Sequence, residues 1–389
     1  MRKLKIGVAG LGRAFSAMLP AFSRDPRVQL VAAADPRAGA LQKFKSDFGA
    51  KVFDSLEELC RDAEVEVVYV ATPHQFHAPQ ARIAASRGKH LLVEKPMALD
   101  LDECRAMIDA ARAAGVMLIV GHSHSFDGPI LQARKIIEQG ALGKLRMITA
   151  LNFTDFLYRP RRPEELDTAR GGGALYNQAA HHIDIVRLLG GGRVRSVRAA
   201  TGAWDAARPT EGAYSCLLNF ADGAFASVTY SGYAHFDSDE FCGWVGEMGQ
   251  RKDPGSYGAA RRLLRGDEAS LKNARNYGGR DYAAPDESNL LHQHFGVLIA
   301  SCDRADLMPL PHGVMIYGDQ ERRLEPLPAP TVQRVEVIDE LYEAVVNGKA
   351  PLHSGEWALA TMEVILAMLR SAKEGKEIAL KNQTSASRI

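Results

Sequence analysis

Three groups of residues in this chain have the types and spacing to move a proton and a hydride. Lys95 closes "HLLVEKP", an apolar run ended by a proline. An ammonium at such a strand end can donate to a substrate oxygen and steady the charge of a developing alkoxide. If partly buried it can also exchange protons. In "YNQAAHHIDIVRLLGG", His181 as a neutral imidazole can take a hydroxyl proton. His182 is adjacent, so on a helix the two rings diverge and one of them faces a site. Asn177, four residues earlier, and Asp184, three residues later, share the helix face of His181, where Asp184 can orient the ring or pair with a cation. A strand-end lysine can equally be a solvated side chain, and a His-His pair can equally be structural.

The third group is the turn in "VAGLGRAF". Gly10 permits a tight bend, and Gly12 lets the backbone around Arg13 and Ala14 approach a pyrophosphate at a helix N-terminus. The third glycine of G-x-G-x-x-G is replaced by Phe15. That glycine mainly allows close helix-to-strand packing, so the helix is expected to sit slightly further out with the phosphate cradle intact. Asp35 ends "VAAADPR", 20 residues beyond Phe15, where a carboxylate can accept from adenosine ribose hydroxyls. This favours NAD. Arg37, two residues on, can meet a 2′-phosphate, so NADP stays open.

These groups need a scaffold, and the apolar pattern supplies one. Short apolar runs ("LKIGVAG", "VQLVAAAD", "VEVVYVATP", "HLLVEKP") alternate with helical patterns at 14–24, 38–48 and 77–87, followed by a helix at 101–114 and a strand at 116–121. Runs without polar alternation mark strands covered on both faces, as in a doubly wound parallel α/β sheet of Rossmann type. A boundary falls near 122. Beyond a helix at 129–139, "YSCLLNF-ADG-AFASVTYSG" reads as a hairpin turning at Asp222-Gly223, which announces antiparallel sheet. Residues 235–290 read as long loops with short elements, and 333–345 and 355–373 as helices. The expected domains are 1–122 for NAD, 123–380 for substrate and oligomerisation, and a frayed polar tail at 381–389.

Composition narrows the function classes. With 389 residues the chain is long enough for two cores. Its 48 basic and 47 acidic residues give no pull toward nucleic acid or anionic lipid. The five cysteines (60, 104, 216, 242, 302) form no C-x-x-C pair, which suits a reducing cytoplasm. No apolar run is long enough for a membrane span or a signal peptide. The strings "HSH" (122–124), "HH" (181–182) and "HQH" (292–294) lack zinc-type spacing, so no metal is expected.

Four segments, "GVAGLGRAF", "VYVATPHQFHAPQARIAASRGKHLLVEKPMA", "GALGKLRMI" and "GGGALYNQAAHHIDIVRLLGG", resemble in order and spacing the glucose–fructose oxidoreductase, inositol dehydrogenase and MocA family. The resemblance spans nearly the whole chain. It implies an N-terminal Rossmann domain and a C-terminal α/β domain with an open, mostly antiparallel sheet, often used for oligomer contacts, hence a homodimer or homotetramer. It makes Lys95 the active-site lysine, with Glu94 and Pro96 of the same motif beside the cofactor, and His181 the base. It sets Thr72, Pro73, His74 and His77 along the nicotinamide side. Three positions depart from many relatives: His74 stands for asparagine, Ser125 for arginine and Asn177 for aspartate.

More narrowly, "YNQAAHHIDIVRLLGGG", "HFGVLIASCDRADL" and "HGVMIYGDQ" resemble the cis-dihydrodiol dehydrogenases of bacterial phthalate degradation. That implies a small anionic diol as substrate. On this reading Asn177 removes a charge that would repel a dianion, while Arg159, Arg161, Arg162 and Arg170 in "LYRPRRPEELDTARGGG" grip carboxylates. Sugar or inositol oxidation, and a non-catalytic NAD-binding regulator, are the alternatives.

Overall fold

The computed structural model describes residues 2–233, 235–264, 266–284, 288 and 290–387. The chain divides into two compact units, each using three segments: 1–122, 267–286 and 332–359 in the first, and 123–266, 287–331 and 360–389 in the second.

The first unit is built on β1 (Leu4–Ala9), β2 (Val28–Ala34), β3 (Lys51–Phe53), β4 (Val67–Val70), β5 (His90–Val93) and β6 (Leu118–Val120), alternating with α1 (Arg13–Arg24), α2 (Ala38–Phe48), α3 (Leu56–Arg61), α4 (His77–Ser86) and α5 (Leu101–Ala114). All strand pairs are parallel, in the order β3-β2-β1-β4-β5-β6. The strands read as unbroken apolar runs because helices cover both faces; Ile6, Val8, Val67, Val68 and Leu91 are fully buried. Strand order reverses between β1 and β4, so the turns after these two strands open the crevice where such sheets bind ligands. Gly10 begins the first turn at φ +93, and a Cβ there would lie 2.8 Å from the Ala71 carbonyl oxygen, so only glycine fits.

The first unit also recruits two remote segments, so a linear division at 122 is incomplete. The reason is apolar surface that β1 to α5 leave uncovered. Phe15 is fully buried with its ring 5.8 Å from Phe44 and 5.2 Å from Tyr277, the latter edge-on. The residue that breaks the glycine rule is thus an aromatic anchor for segment 267–286, which follows the short helix α8 (Ala259–Leu263) and contains α9 (Glu268–Arg275). Likewise α10 (Val335–Asn347) buries Val337, Ile338 and Leu341. Within the 235–290 stretch expected as long loops with short elements, the described residues form short helices and an isolated antiparallel bridge between Val245 and Arg251; residues 265, 285–287 and 289 lie outside the described residues.

The second unit carries β7 (Leu145–Phe153), β8 (Val194–Gly202), β9 (Ala213–Phe220), β10 (Phe225–Ser231), β11 (Val297–Cys302), β12 (Ala305–Leu310), β13 (Gly313–Gly318), β14 (Arg322–Pro326) and β15 (Ile378–Ala379) in one sheet, ordered β14-β13-β12-β11-β7-β10-β9-β8-β15. Only β7 and β10 pair in parallel. β9 and β10 form the hairpin expected at Asp222-Gly223. The helix α6 (Gly128–Glu138) packs on β12 and β13, and α7 (Ala180–Leu189) on β7 and β10. From Ala360 onward α11 (Gly355–Glu374) also belongs to this unit.

The tail expected to fray is held. Both Glu363 carboxylate oxygens accept backbone N–H groups, from Lys381 and Asn382 at 2.8 Å each, and the Ala386 N–H donates to Gly191. A carboxylate with two backbone donors fixes a chain end that composition alone leaves loose.

Candidate active site

In the first unit the phosphate-binding features are in place. The α1 N-terminus begins at Arg13 with no side chain capping its N–H groups, and a Cβ on Gly12 would meet nothing within 4 Å. Open space over uncapped, outward-facing N–H groups suits a pyrophosphate. Asp35 is buried at the end of β2; its Oδ2 accepts the Leu11 N–H at 2.7 Å, which sets the carboxylate beside the turn. The residues present fit NAD.

Lys95 follows β5 at the carboxyl edge of the sheet and is half-buried; its peptide to Pro96 is cis. Two neighbours expected to touch cofactor hold this turn. Glu94 is buried and accepts from the Tyr69 hydroxyl at 2.6 Å. His77 is fully buried, with Nδ1 3.0 Å from the Pro96 carbonyl oxygen and Nε2 2.9 Å from that of Thr72. Burial holds the ring below the ordinary histidine pKa, so a neutral ring donates to one of these carbonyls. His77 therefore ties the loop after β4 to the lysine turn. Thr72, Pro73 and His74 remain half-buried beside it; the Thr72 hydroxyl donates to Gln80, and His74 packs edge-on against His77.

In the second unit a π-helical stretch, Leu175–Ala179, runs into α7. The rings of His181 and His182 both lie 5.1 Å from the Phe295 ring, that of His182 edge-on. His182 is buried with Nδ1 3.2 Å from the Tyr214 hydroxyl, and burial pulls its pKa down to about 3. His181 lies 4.7 Å from His124 and 5.1 Å from Phe295, ring to ring. Phe295 stacks nearly parallel on Tyr230 at 6.2 Å, and Tyr230 on Tyr214 at 5.3 Å. The His124 Nδ1 is 2.6 Å from an Asp127 carboxylate oxygen. The histidines of "HQH" face backbone instead: His292 Nε2 lies 2.8 Å from the Pro328 carbonyl oxygen and His294 Nε2 2.8 Å from that of Val245.

Three expected groups on this unit have partners within the protein. Asp184 accepts from the buried Ser125 hydroxyl and, at 2.7 Å, from Thr361, beside the fully buried Arg187, and so braces the helix from within. Asn177 donates through Nδ2 to the carbonyls of Gly173 at 2.9 Å and Gly171 at 3.4 Å, so its amide fastens the glycine run. At Gly173, φ is +80 and a Cβ would lie 2.2 Å from Glu211, which is why the run must be held so tightly. Asn177→Asp turns a donor into an acceptor facing two carbonyls; we expect a loss of about 1–3 kcal/mol in unfolding free energy, read by denaturant titration.

The third group is the arginines, which differ in their partners. Arg161 lies over the Phe156 ring at 3.7 Å and donates to the Phe156 carbonyl at 2.7 Å; burial lowers its pKa to about 10. Arg162 pairs with Glu164 at 3.0 Å and with Glu165 at 3.4 Å. Arg170 is exposed at the end of a short 3-10 turn. Arg159 keeps a side chain 43% exposed, with Nε on Asp155 at 2.7 Å and Nη2 3.5 Å from Glu247. Phe295, His124, Tyr230 and Glu247 escape sequence reasoning because no spacing links them; only the "HQHF" string hints at the first.

Comparison with known proteins agrees with this architecture. Residues 4–122 match the oxidoreductase family with an NAD-binding Rossmann fold, and residues 130–250 match the GFO/IDH/MocA C-terminal domain. The chain is 48% identical over 378 residues to the 1-carboxy-3-chloro-3,4-dihydroxycyclohexa-1,5-diene dehydrogenase of Comamonas testosteroni, covering 95% of each. It superposes on a solved chain from Bordetella bronchiseptica RB50, described only provisionally as a dehydrogenase, with a TM-score of 0.91 and 42% identity, covering 97% of this chain and 100% of that one. The fold also matches the WlbA dehydrogenase of Bordetella pertussis, solved with NADH and UDP-GlcNAcA (TM-score 0.69, 23% identity, 98% and 99% covered). The chain belongs to the Gfo/Idh/MocA family of NAD-binding oxidoreductases. It is a dehydrogenase of that family. Among the described residues no helix is long and apolar enough to cross a membrane.

Proposed function

We propose that this dehydrogenase oxidises a cis-dihydrodiol of an aromatic carboxylate, with the 4,5-cis-dihydrodiol of phthalate as the substrate to be tested first. The observation that carries the reading is the wall in the second unit. His181 is flanked by His124 and Phe295, the wall continues through Phe295 to Tyr230, and Arg159 and Arg161 act electrostatically on the Tyr230 phenol. A flat apolar ring suits a cyclohexadiene face, and a guanidinium suits its carboxylate. Of the two arginines that act on Tyr230, Arg159 is the more exposed, with Asp155 and Glu247 as its partners. The Comamonas relative is itself named for a carboxylated dihydroxycyclohexadiene.

In the chemistry we assign, His181 serves as the base for a carbinol hydroxyl proton, and Lys95 serves as a donor to oxygen charge that builds during oxidation. When bound, NAD supplies the hydride acceptor. The resulting enone tautomerises to a catechol, and aromatisation draws the oxidation forward. The test follows NADH formation with phthalate cis-4,5-dihydrodiol, the carboxylated chlorinated diol of the Comamonas enzyme, uncarboxylated benzene cis-dihydrodiol, myo-inositol and glucose. Carboxylated diols should exceed the uncarboxylated ring by about 10²-fold in kcat/KM. Turnover confined to inositol or glucose would sink the assignment.

We further propose that the chain works as a homodimer or homotetramer through the outer face of the large sheet. Burial alternates along β9 and β10, leaving Leu217 43% and Phe225 41% exposed, with Tyr317 of β13 at 39%. Exposed Leu217, Phe225 and Tyr317 on a face shared with Ser215 and Ser227 fit a second copy of the chain. Light scattering should give a multiple of 42.4 kDa for the native protein and a lighter species for the double variant Leu217→Glu, Phe225→Glu. An unchanged mass would reject this face.

A further inference from the structure

We propose that segment 267–286, remote in sequence from the dinucleotide turn, acts as a clasp that sets cofactor selectivity by turning Arg37 into a brace. This rests on NAD binding by the first unit and is independent of the substrate proposed above.

Three sets of contacts dock the clasp. The Tyr277 ring meets Phe15 edge-on at 5.2 Å and also meets Phe44, the Tyr277 hydroxyl donates to Asp47 at 2.6 Å, and Lys43 lies over the ring at 5.4 Å. A Cβ on the following Gly278 would come within 2.6 Å of the Ala40 Cα, so the clasp lies directly on the start of α2. Tyr282 packs edge-on against Tyr277 at 5.3 Å and interacts electrostatically with Arg13, the first residue of α1. The clasp therefore borders the phosphate end of the turn as well as the ribose end.

Its effect falls on Arg37. The guanidinium donates from Nη1 to the Tyr277 carbonyl at 3.2 Å, from Nη2 to the Leu11 carbonyl at 2.7 Å and to Asp35 Oδ2 at 3.2 Å, and from Nε to Asp35 Oδ1 at 3.0 Å. Four of five guanidinium N–H groups are engaged. Asp35 also accepts the Leu11 and Arg37 backbone N–H groups, so its acceptor positions are filled. A ribose hydroxyl can enter by displacing the longest of these contacts, Nη2 to Oδ2, while Arg37 stays on the Leu11 and Tyr277 carbonyls. A 2′-phosphate meets the Asp35 carboxylate and a single unengaged N–H, too little for the two-pronged grip that phosphate selection requires. Residue type suggests a phosphate ligand; position makes Arg37 part of the wall.

The test titrates NADH and NADPH into the full-length protein by calorimetry, without substrate, for wild type, Tyr277→Phe and Tyr277→Ala, with hydrogen exchange of 267–286 followed in parallel. Wild type should prefer NADH by about 100-fold, and Tyr277→Phe should keep that preference because the ring contacts remain. Tyr277→Ala should raise exchange in 267–286 and shrink the preference by about tenfold or more. Should Tyr277→Ala leave exchange unaltered, Gly278→Val is used to dislodge the clasp and is judged by the same ratio. An unchanged ratio with the segment freely exchanging overturns the proposal, as does wild-type protein that binds NADPH as well as NADH.

Discussion

Lys95→Ala should bind NADH with little change in Kd while kcat/KM for the diol falls by about 10²- to 10³-fold, the range found when one donor to a developing oxyanion is removed. The separation follows from where the lysine stands. The residues we assign to phosphate and ribose, Gly12 and Asp35, lie at the β1 and β2 ends, whereas Lys95 follows β5 and is held by a turn that His77 and Glu94 secure from the protein side. Removing the ammonium leaves those anchors intact. Lys95→Arg should recover little, because a planar fork on a longer stem cannot place a point charge where the ammonium stood. Stopped-flow hydride transfer, measured with the carboxylated diol and saturating NAD, separates chemistry from product release. A Lys95→Ala enzyme with the native hydride-transfer rate would remove this residue from the reaction.

The features legible in the sequence are those whose partners lie close along the chain. Gly10, Gly12 and Asp35 announce themselves because the bend, the cradle and the ribose carboxylate belong to one βαβ unit. The Asp222-Gly223 hairpin is equally local. Phe15 looks like a defect for the same reason: the ring that explains it, Tyr277, enters from a segment whose weak periodicity hides its purpose. Spacing puts Asn177 and Asp184 on the helix face of His181, but Asn177 lies in a π-helical stretch, and spacing is silent on the partners these side chains take, the glycine carbonyls and Thr361. The arginine loop shows the same limit. Four equivalent letters become one half-exposed guanidinium, one laid over a phenyl ring, one paired locally and one exposed, once Phe156, Glu164 and Glu247 are in position.

His181→Ala should lower kcat by about 10²- to 10⁴-fold and abolish the acidic limb of the kcat/KM profile, since a base must be neutral to accept a proton. Acid unfolding could counterfeit that limb, and His182 shows how to tell the two apart. Burial depresses its pKa from 6.5 to about 3, so the unfolded chain binds a proton that the folded chain refuses. Below pH 6.5 the unfolded state therefore holds more protons, and stability falls as pH falls toward 3. His182→Asn removes that linkage: its thermal midpoint should depend less steeply on pH across this window, while the acidic limb of kcat/KM persists, because a ring neutral throughout the working range contributes no limb. His181→Ala should do the reverse, keeping the slope of stability against pH and losing the limb of activity. A limb that survives in His181→Ala and disappears in His182→Asn would exchange the two roles.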